Sequence, residues 1–138
     1  QKLLLAVLPR IAPNLRVGNG LDDDFLSHDR AVVQAYRDDP LTHDRIGSRL
    51  ARFLAYEGET VLRQAPRWPV PTLLLYAGDD RLVKPAASRA FAQAAAASGQ
   101  VEAHGFETLY HELFNELEAQ PVFDALERWL ERRFPAAA

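Results

Sequence analysis

Pro69-Val70-Pro71-Thr72-Leu73-Leu74-Leu75-Tyr76-Ala77-Gly78-Asp79-Asp80-Arg81-Leu82-Val83 decides how the rest of the chain is read. Two prolines lead into an unbroken apolar run. Such a run, bounded by turn signals, suits a strand buried on both faces of a parallel sheet. Pro71 is tolerated at a strand's start, where no ladder donor is yet required. Gly78 ends the run and two carboxylates follow. In open α/β sheets, ligands and catalytic groups gather at the carboxyl ends of strands. Asp79 and Asp80 therefore stand in a place suited to chemistry.

Downstream, Pro85 suits the first turn of a helix and Gly99 its left-handed stop. Ala87, Phe91 and Ala94 give that helix a narrow inner face, consistent with close packing on a sheet. Val101 to Phe106 reads as a second strand, weakened by Gly105 within it. The loop Glu107-Thr108-Leu109-Tyr110 delivers His111. Pro121 then opens a last helix with Val122, Ala125, Leu126, Trp129 and Leu130 on one face, and Pro135 closes it. The order strand, helix, strand, loop, helix implies a right-handed parallel crossover.

Upstream the pattern is helical. Leu4, Val7, Leu8 and Ile11 recur at helical spacing, with Pro9 limiting regularity. Pro13 to Gly20 reads as a loop ending in an Asn19-Gly20 turn signal. Asp22-Asp23-Asp24 reads as a solvated acidic turn entering a helix, because calcium loops alternate their ligands at wider spacing. Ser27 is placed as the N-cap of a helix carrying Val32, Val33 and Tyr36, which should stop near Asp38-Asp39-Pro40. A second helix is expected from about Thr42, with Ile46, Leu50, Phe53 and Leu54 on one face and Gly58 bending or interrupting it. The series Arg30, Arg37, Arg45, Arg49 and Arg52 reads as a solvated helix face. Residues 1–56 thus form an all-helical region and residues 57–138 an α/β region, with the shift between Gly58 and Pro69.

The chain has 138 residues, 48% of them apolar, enough for one ordinary core. A net charge of −3, with acids and bases interleaved, leaves no footprint for nucleic acid and no polybasic membrane patch. No run approaches the roughly 18–20 apolar residues that span a bilayer. Cysteine is absent, which removes disulfides, thiol catalysis and zinc–thiolate sites together. The opening at Gln1 rather than Met reads as a C-terminal fragment, so a missing leader says nothing about compartment; the cytoplasm is the default expectation.

A carboxylate at the end of one strand and a histidine just past the next parallel strand share a sheet edge. The carboxylate can accept from the histidine's Nδ1–H, fix its tautomer and stabilise the imidazolium, leaving Nε2 to act as base toward a hydroxyl nucleophile. Asp before His matches the Ser…Asp…His order of α/β-hydrolases and contradicts the chymotrypsin order. The subtilisin order would need a serine downstream of His111, and no serine, threonine or cysteine follows it.

Thr72 to Val83 and the loop Tyr110-His111-Glu112-Leu113-Phe114-Asn115-Glu116 resemble the acid-bearing turn and the histidine loop of monoacylglycerol lipases in the α/β-hydrolase superfamily. Val32 to Ile46, VVQAYRDDPLTHDRI, is similar to that family's cap and its return to the core. The resemblance implies that Asp80 is the acid and His111 the base, with Asp79 a turn or capping residue. It also implies an α/β fold: the C-terminal part of an α/β-hydrolase, preceded by a helical cap at 1–56 and lacking the N-terminal strands and the nucleophile elbow. The serines sit in Leu26-Ser27-His28, Gly47-Ser48-Arg49, Ala87-Ser88-Arg89 and Ala97-Ser98-Gly99, none in a G-x-S-x-G context.

The function so implied is that of a serine ester hydrolase, a monoacylglycerol lipase or carboxylesterase acting on a lipid-like ester, with the present chain inactive alone. Neither a cofactor nor a metal is expected. Phe53 and Leu54 are candidates for an acyl-binding channel, although ordinary core packing is the safer reading of their helical spacing. Tyr110 either stacks beside His111, faces substrate or packs, while His28, His43 and His104 read as exposed or polar-face histidines. The missing N-terminal half, or another copy, is the expected partner that completes the sheet. Two rival readings stand beside this one. One is a non-catalytic binding protein on a hydrolase scaffold. The other is an epoxide hydrolase or dehalogenase with an aspartate nucleophile.

Overall fold

A computed structural model describes residues 11–12 and 14–135. In chain order its regular elements are β1 (Arg16–Gly18), α1 (Arg30–Asp38), β2 (Arg45–Gly47), α2 (Ser48–Gln64), β3 (Thr72–Ala77), α3 (Pro85–Ala95), β4 (Val101–Phe106) and α4 (Gln120–Arg133), with short 3-10 turns between them.

The apolar run after Pro71 forms β3, and it pairs with β4 in parallel from Thr72 opposite Val101 to Ala77 opposite Phe106. Gly105 does not interrupt the ladder. Its missing Cβ makes room for the Tyr76 ring, whose Cζ would lie 2.7 Å from a Cβ at that position. Pro85 starts α3, and a 3-10 turn carries its end to Gly99, at φ 66° in the left-handed region. Helices α3 and α4 both pack on β3. Ala77, Leu109, Leu113 and Val122 form the buried core, with Leu75 and Phe106 against it. Among the described residues β3 has β4 as its one strand partner, so Thr72 to Tyr76 stay partly exposed and only Ala77 is buried.

The upstream region differs from the sequence reading in three places. Arg16–Gly18, read as loop, and Arg45–Gly47, read as part of the second helix, are instead strands that pair antiparallel, with Val17 opposite Ile46. Each three-residue strand holds a single apolar side chain, too little for an alternation to be seen. The second helix begins at Ser48 rather than near Thr42, and it runs unbroken through Gly58 to Gln64. Gly58 costs that helix about 1 kcal/mol relative to alanine, a cost a 17-residue helix can carry. Finally, Asp29 rather than Ser27 caps α1, its Oδ1 accepting from the Ala31 N–H at 2.8 Å. The expected helix from Leu4 to Ile11 lies outside the described residues except at Ile11.

The acidic turn is short and paired rather than merely solvated. Asp23–Phe25 is a 3-10 turn capped by Asp22, and Asp24 meets Arg30 at 2.7 Å and Arg37 at 3.2 Å. The Arg30 hydrogen bond, foremost among those contacts, holds the Asp24 pKa below its ordinary value. No helix among the described residues is long and apolar enough to cross a membrane.

Candidate active site

Gly78 brings the ends of β3 and β4 together. A Cβ there would run into the Glu107 Cα, so only glycine lets the chain leave β3 so close to the turn after β4. The ladder continues past the strands: the Gly78 N–H donates to the Phe106 carbonyl at 2.7 Å and the Asp79 N–H to the Leu109 carbonyl at 3.3 Å. The two loops that follow are thereby held side by side.

Asp79 and Asp80 point to different tasks. Asp79 takes the Arg81 guanidinium as a fork, at 3.3 Å from Nε and 3.2 Å from Nη2. Asp80 turns inward, its side chain 10% exposed. Its Oδ1 accepts the backbone N–H groups of Leu82 at 2.9 Å and Val83 at 2.8 Å, and its Oδ2 lies 2.8 Å from His111 Nδ1. Burial alone pushes the Asp80 pKa up. The Val83 N–H, the His111 ring and the Leu82 N–H together outweigh burial, and the carboxyl ends below its ordinary value. An ionised carboxylate can only accept, so the proton in this pair sits on His111 Nδ1. That fixes the tautomer and leaves Nε2 with a free lone pair, the form a general base needs. Asp80 and His111 share a cleft of about 190 Å³ with Leu75, Tyr76, Val83 and Leu113.

The other candidates lie elsewhere. Phe53 and Leu54 sit on α2 at 58% and 64% exposure, and neither lines that cleft. Tyr110 stacks on His28 rather than on His111, with ring centroids 3.7 Å apart, and meets Phe25 edge-on at 5.7 Å. His28 is exposed, as the sequence suggests, and is also engaged: its Nδ1 lies 2.9 Å from Glu116 Oε1. His104 likewise contacts Glu102 at 2.9 Å. No group of three or more His, Cys, Asp or Glu among the described residues could hold a metal ion.

Sequence reasoning gave Glu116 no role, yet it is the buried carboxylate of the histidine loop, its side chain 1% exposed. Burial raises its pKa, but the Tyr110 N–H and the contacts from His28 outweigh that and bring it below the ordinary value. No local signal marked it: its neighbours Phe114 and Leu117 are exposed, and the His28 segment it binds lies 88 positions away.

The family described as serine aminopeptidase, S33, matches residues 1–118. The chain belongs to that family. A monoacylglycerol lipase of Mycolicibacterium smegmatis is 36% identical over 125 residues, covering 90% of this chain and 44% of the relative. The phospholipase YtpA of Bacillus subtilis is 33% identical over 116 residues, covering 83% and 44%. The crystal structure of the Paleococcus ferrophilus monoacylglycerol lipase superposes with a TM-score of 0.86 at 33% identity, covering 94% of this chain and 50% of that one. This S33 chain thus has the α/β-hydrolase fold of its structural relative, and it spans half or less of these relatives' lengths.

Proposed function

We propose that this S33 chain is the C-terminal portion of a serine ester hydrolase acting on monoacylglycerols or similar lipid-like esters. Asp80 and His111 would be two members of its catalytic triad. The observation that carries the reading is the 2.8 Å contact between Asp80 and His111 Nδ1, made where two parallel strands end. The named activities of the lipase relatives support the substrate class.

In this reading the nucleophilic serine comes from polypeptide outside the present chain, as do the oxyanion-hole donors. His111 Nε2 takes the serine proton as the hydroxyl attacks the ester carbonyl, and Asp80 stabilises the imidazolium. The imidazolium then protonates the leaving alcohol, and the acyl-enzyme is hydrolysed by water activated at the same nitrogen. Residues 1–56 serve as the cap and its return to the core, and residues 57–138 belong to the core. The exposed Phe53 and Leu54 offer apolar surface for an acyl chain. Alone, the chain supplies no nucleophile and is inactive; the missing strands, on the N-terminal half, complete the sheet beside β3.

The test is made on the complete parent protein with p-nitrophenyl esters. His111→Ala should lower turnover at least about 100-fold, the scale of a lost general base. Unchanged turnover rules the assignment out. A G-x-S-x-G elbow in the parent reading frame separates this reading from an aspartate-nucleophile hydrolase and from a binding protein.

A further inference from the structure

We propose that Glu116 is the positioning residue for His111, holding the peptide beside the histidine against the segment Leu26–His28; this rests on the reading of His111 as the catalytic base. Glu116 Oε1 accepts the N–H of Tyr110, the residue before His111, at 2.6 Å. Its Oε2 accepts the His28 N–H at 3.1 Å, and the His28 ring nitrogen Nδ1 lies within 2.9 Å and 3.1 Å of the two oxygens. The amide immediately after His111 is tied to the same upstream segment: the Glu112 N–H donates to the Leu26 carbonyl at 2.8 Å. Ser27, fully buried, closes the far end of the loop by donating its hydroxyl to the Asn115 carbonyl at 2.8 Å.

His111 is therefore bracketed. The N–H groups of both neighbouring residues, Tyr110 and Glu112, are tied to the Leu26–His28 segment, one through the Glu116 carboxylate and one directly. The Asp80 end of the pair is held separately, by the Leu82 and Val83 amides. A carboxylate is a costly group to bury, and an apolar side chain would fill the same space without that cost. What an apolar side chain cannot do is accept the Tyr110 N–H. Removing the carboxylate frees the Tyr110 peptide to turn, and that turn carries the His111 Cα, and so the ring, away from Asp80. A misplacement near 1 Å is enough to cost about 100-fold in rate.

The experiment compares Glu116→Ala, Glu116→Asp and Glu116→Gln in the complete parent protein by two readouts. One is steady-state hydrolysis of p-nitrophenyl butyrate. The other is the histidine ring-nitrogen NMR spectrum, which reports the Nδ1–H tautomer of His111 whether or not the ester is turned over. Glu116→Ala should lower kcat about 10- to 100-fold with KM within about twofold, and should lose the fixed tautomer of His111. Glu116→Gln, which keeps an acceptor for the Tyr110 N–H, should recover most of both. Should circular dichroism show the alanine variant unfolded, Glu116→Asp decides, since it keeps the charge but falls short of Tyr110; it should show the same losses in smaller degree. A fixed tautomer and unchanged kcat in the folded alanine or aspartate variant overturns the proposal. If His111→Ala is also without effect on hydrolysis, it is the reading of His111 as base that fails, and the tautomer measurement still decides what Glu116 does.

Discussion

Between Thr72 and Phe134 a set of apolar side chains closes into a core, with Ala77, Leu109, Leu113 and Val122 as its centre and Leu75 and Phe106 against it, although Val83, Leu117 and Phe123 stay exposed. Between Leu15 and Gln64 the apolar side chains largely do not: α2 buries only Ser48 along its 17 residues, and Leu50, Phe53 and Leu54 stay exposed on it. The upstream residues that are buried near the site, Leu26 and Ser27, reach that state by bonding to the histidine loop. The downstream region thus provides its own frame, and the upstream region takes part of its order from the loop that carries His111.

One substitution made in both regions tests this most sharply. Gly78→Ala would drive a methyl into the Glu107 backbone, where nothing flexible can yield, and should destabilise the protein by about 3 kcal/mol. Gly58→Ala, with nothing within 4 Å of the added methyl in the middle of α2, should instead stabilise by about 1 kcal/mol. Thermal melts of the two variants should move in opposite directions, and a shared direction breaks the contrast.

Acid acts next on the Asp80 and Glu116 carboxylates. The folded-state pKa values of Asp80 and Glu116 are both depressed, so their contribution is fully present above the ordinary carboxylate range, about 4, and is lost as pH falls through their lowered values. The melting-temperature gap between the wild type and Asp80→Asn should be full near neutrality and close below that range. A gap that persists unchanged into strong acid contradicts the ionised Asp80. The smallest effect belongs to Phe53→Ser. It should alter stability by no more than about 0.5 kcal/mol, while weakening the parent's preference for longer acyl esters over acetate. An unaltered chain-length preference removes Phe53 from the acyl site.

What the sequence disclosed follows the same division. The apolar run after Pro71, Pro85, Gly99 and Pro121 each impose a local conformation, so β3, α3, β4 and α4 could be read in order, and the parallel ladder with them. The meeting of Asp80 with His111 was legible because strand ends in a parallel pair share an edge. The strands β1 and β2 were not legible, since three residues with one apolar side chain carry no period. Ser27 and Glu116 were misread or passed over for a different reason. Each is a polar group with a partner 88 positions away, and no local pattern distinguishes them from a helix cap or a solvated acid.

The central claim is that Asp80 and His111 act as one unit on a serine supplied elsewhere in the parent. A double-mutant cycle tests it directly, by measuring kcat/KM for ester hydrolysis in the complete protein with Asp80→Asn, His111→Ala and both together. Residues that act as a unit are strongly non-additive, so the double variant should be no slower than His111→Ala alone, within about threefold. Losses that multiply would show two independent roles and contradict the account.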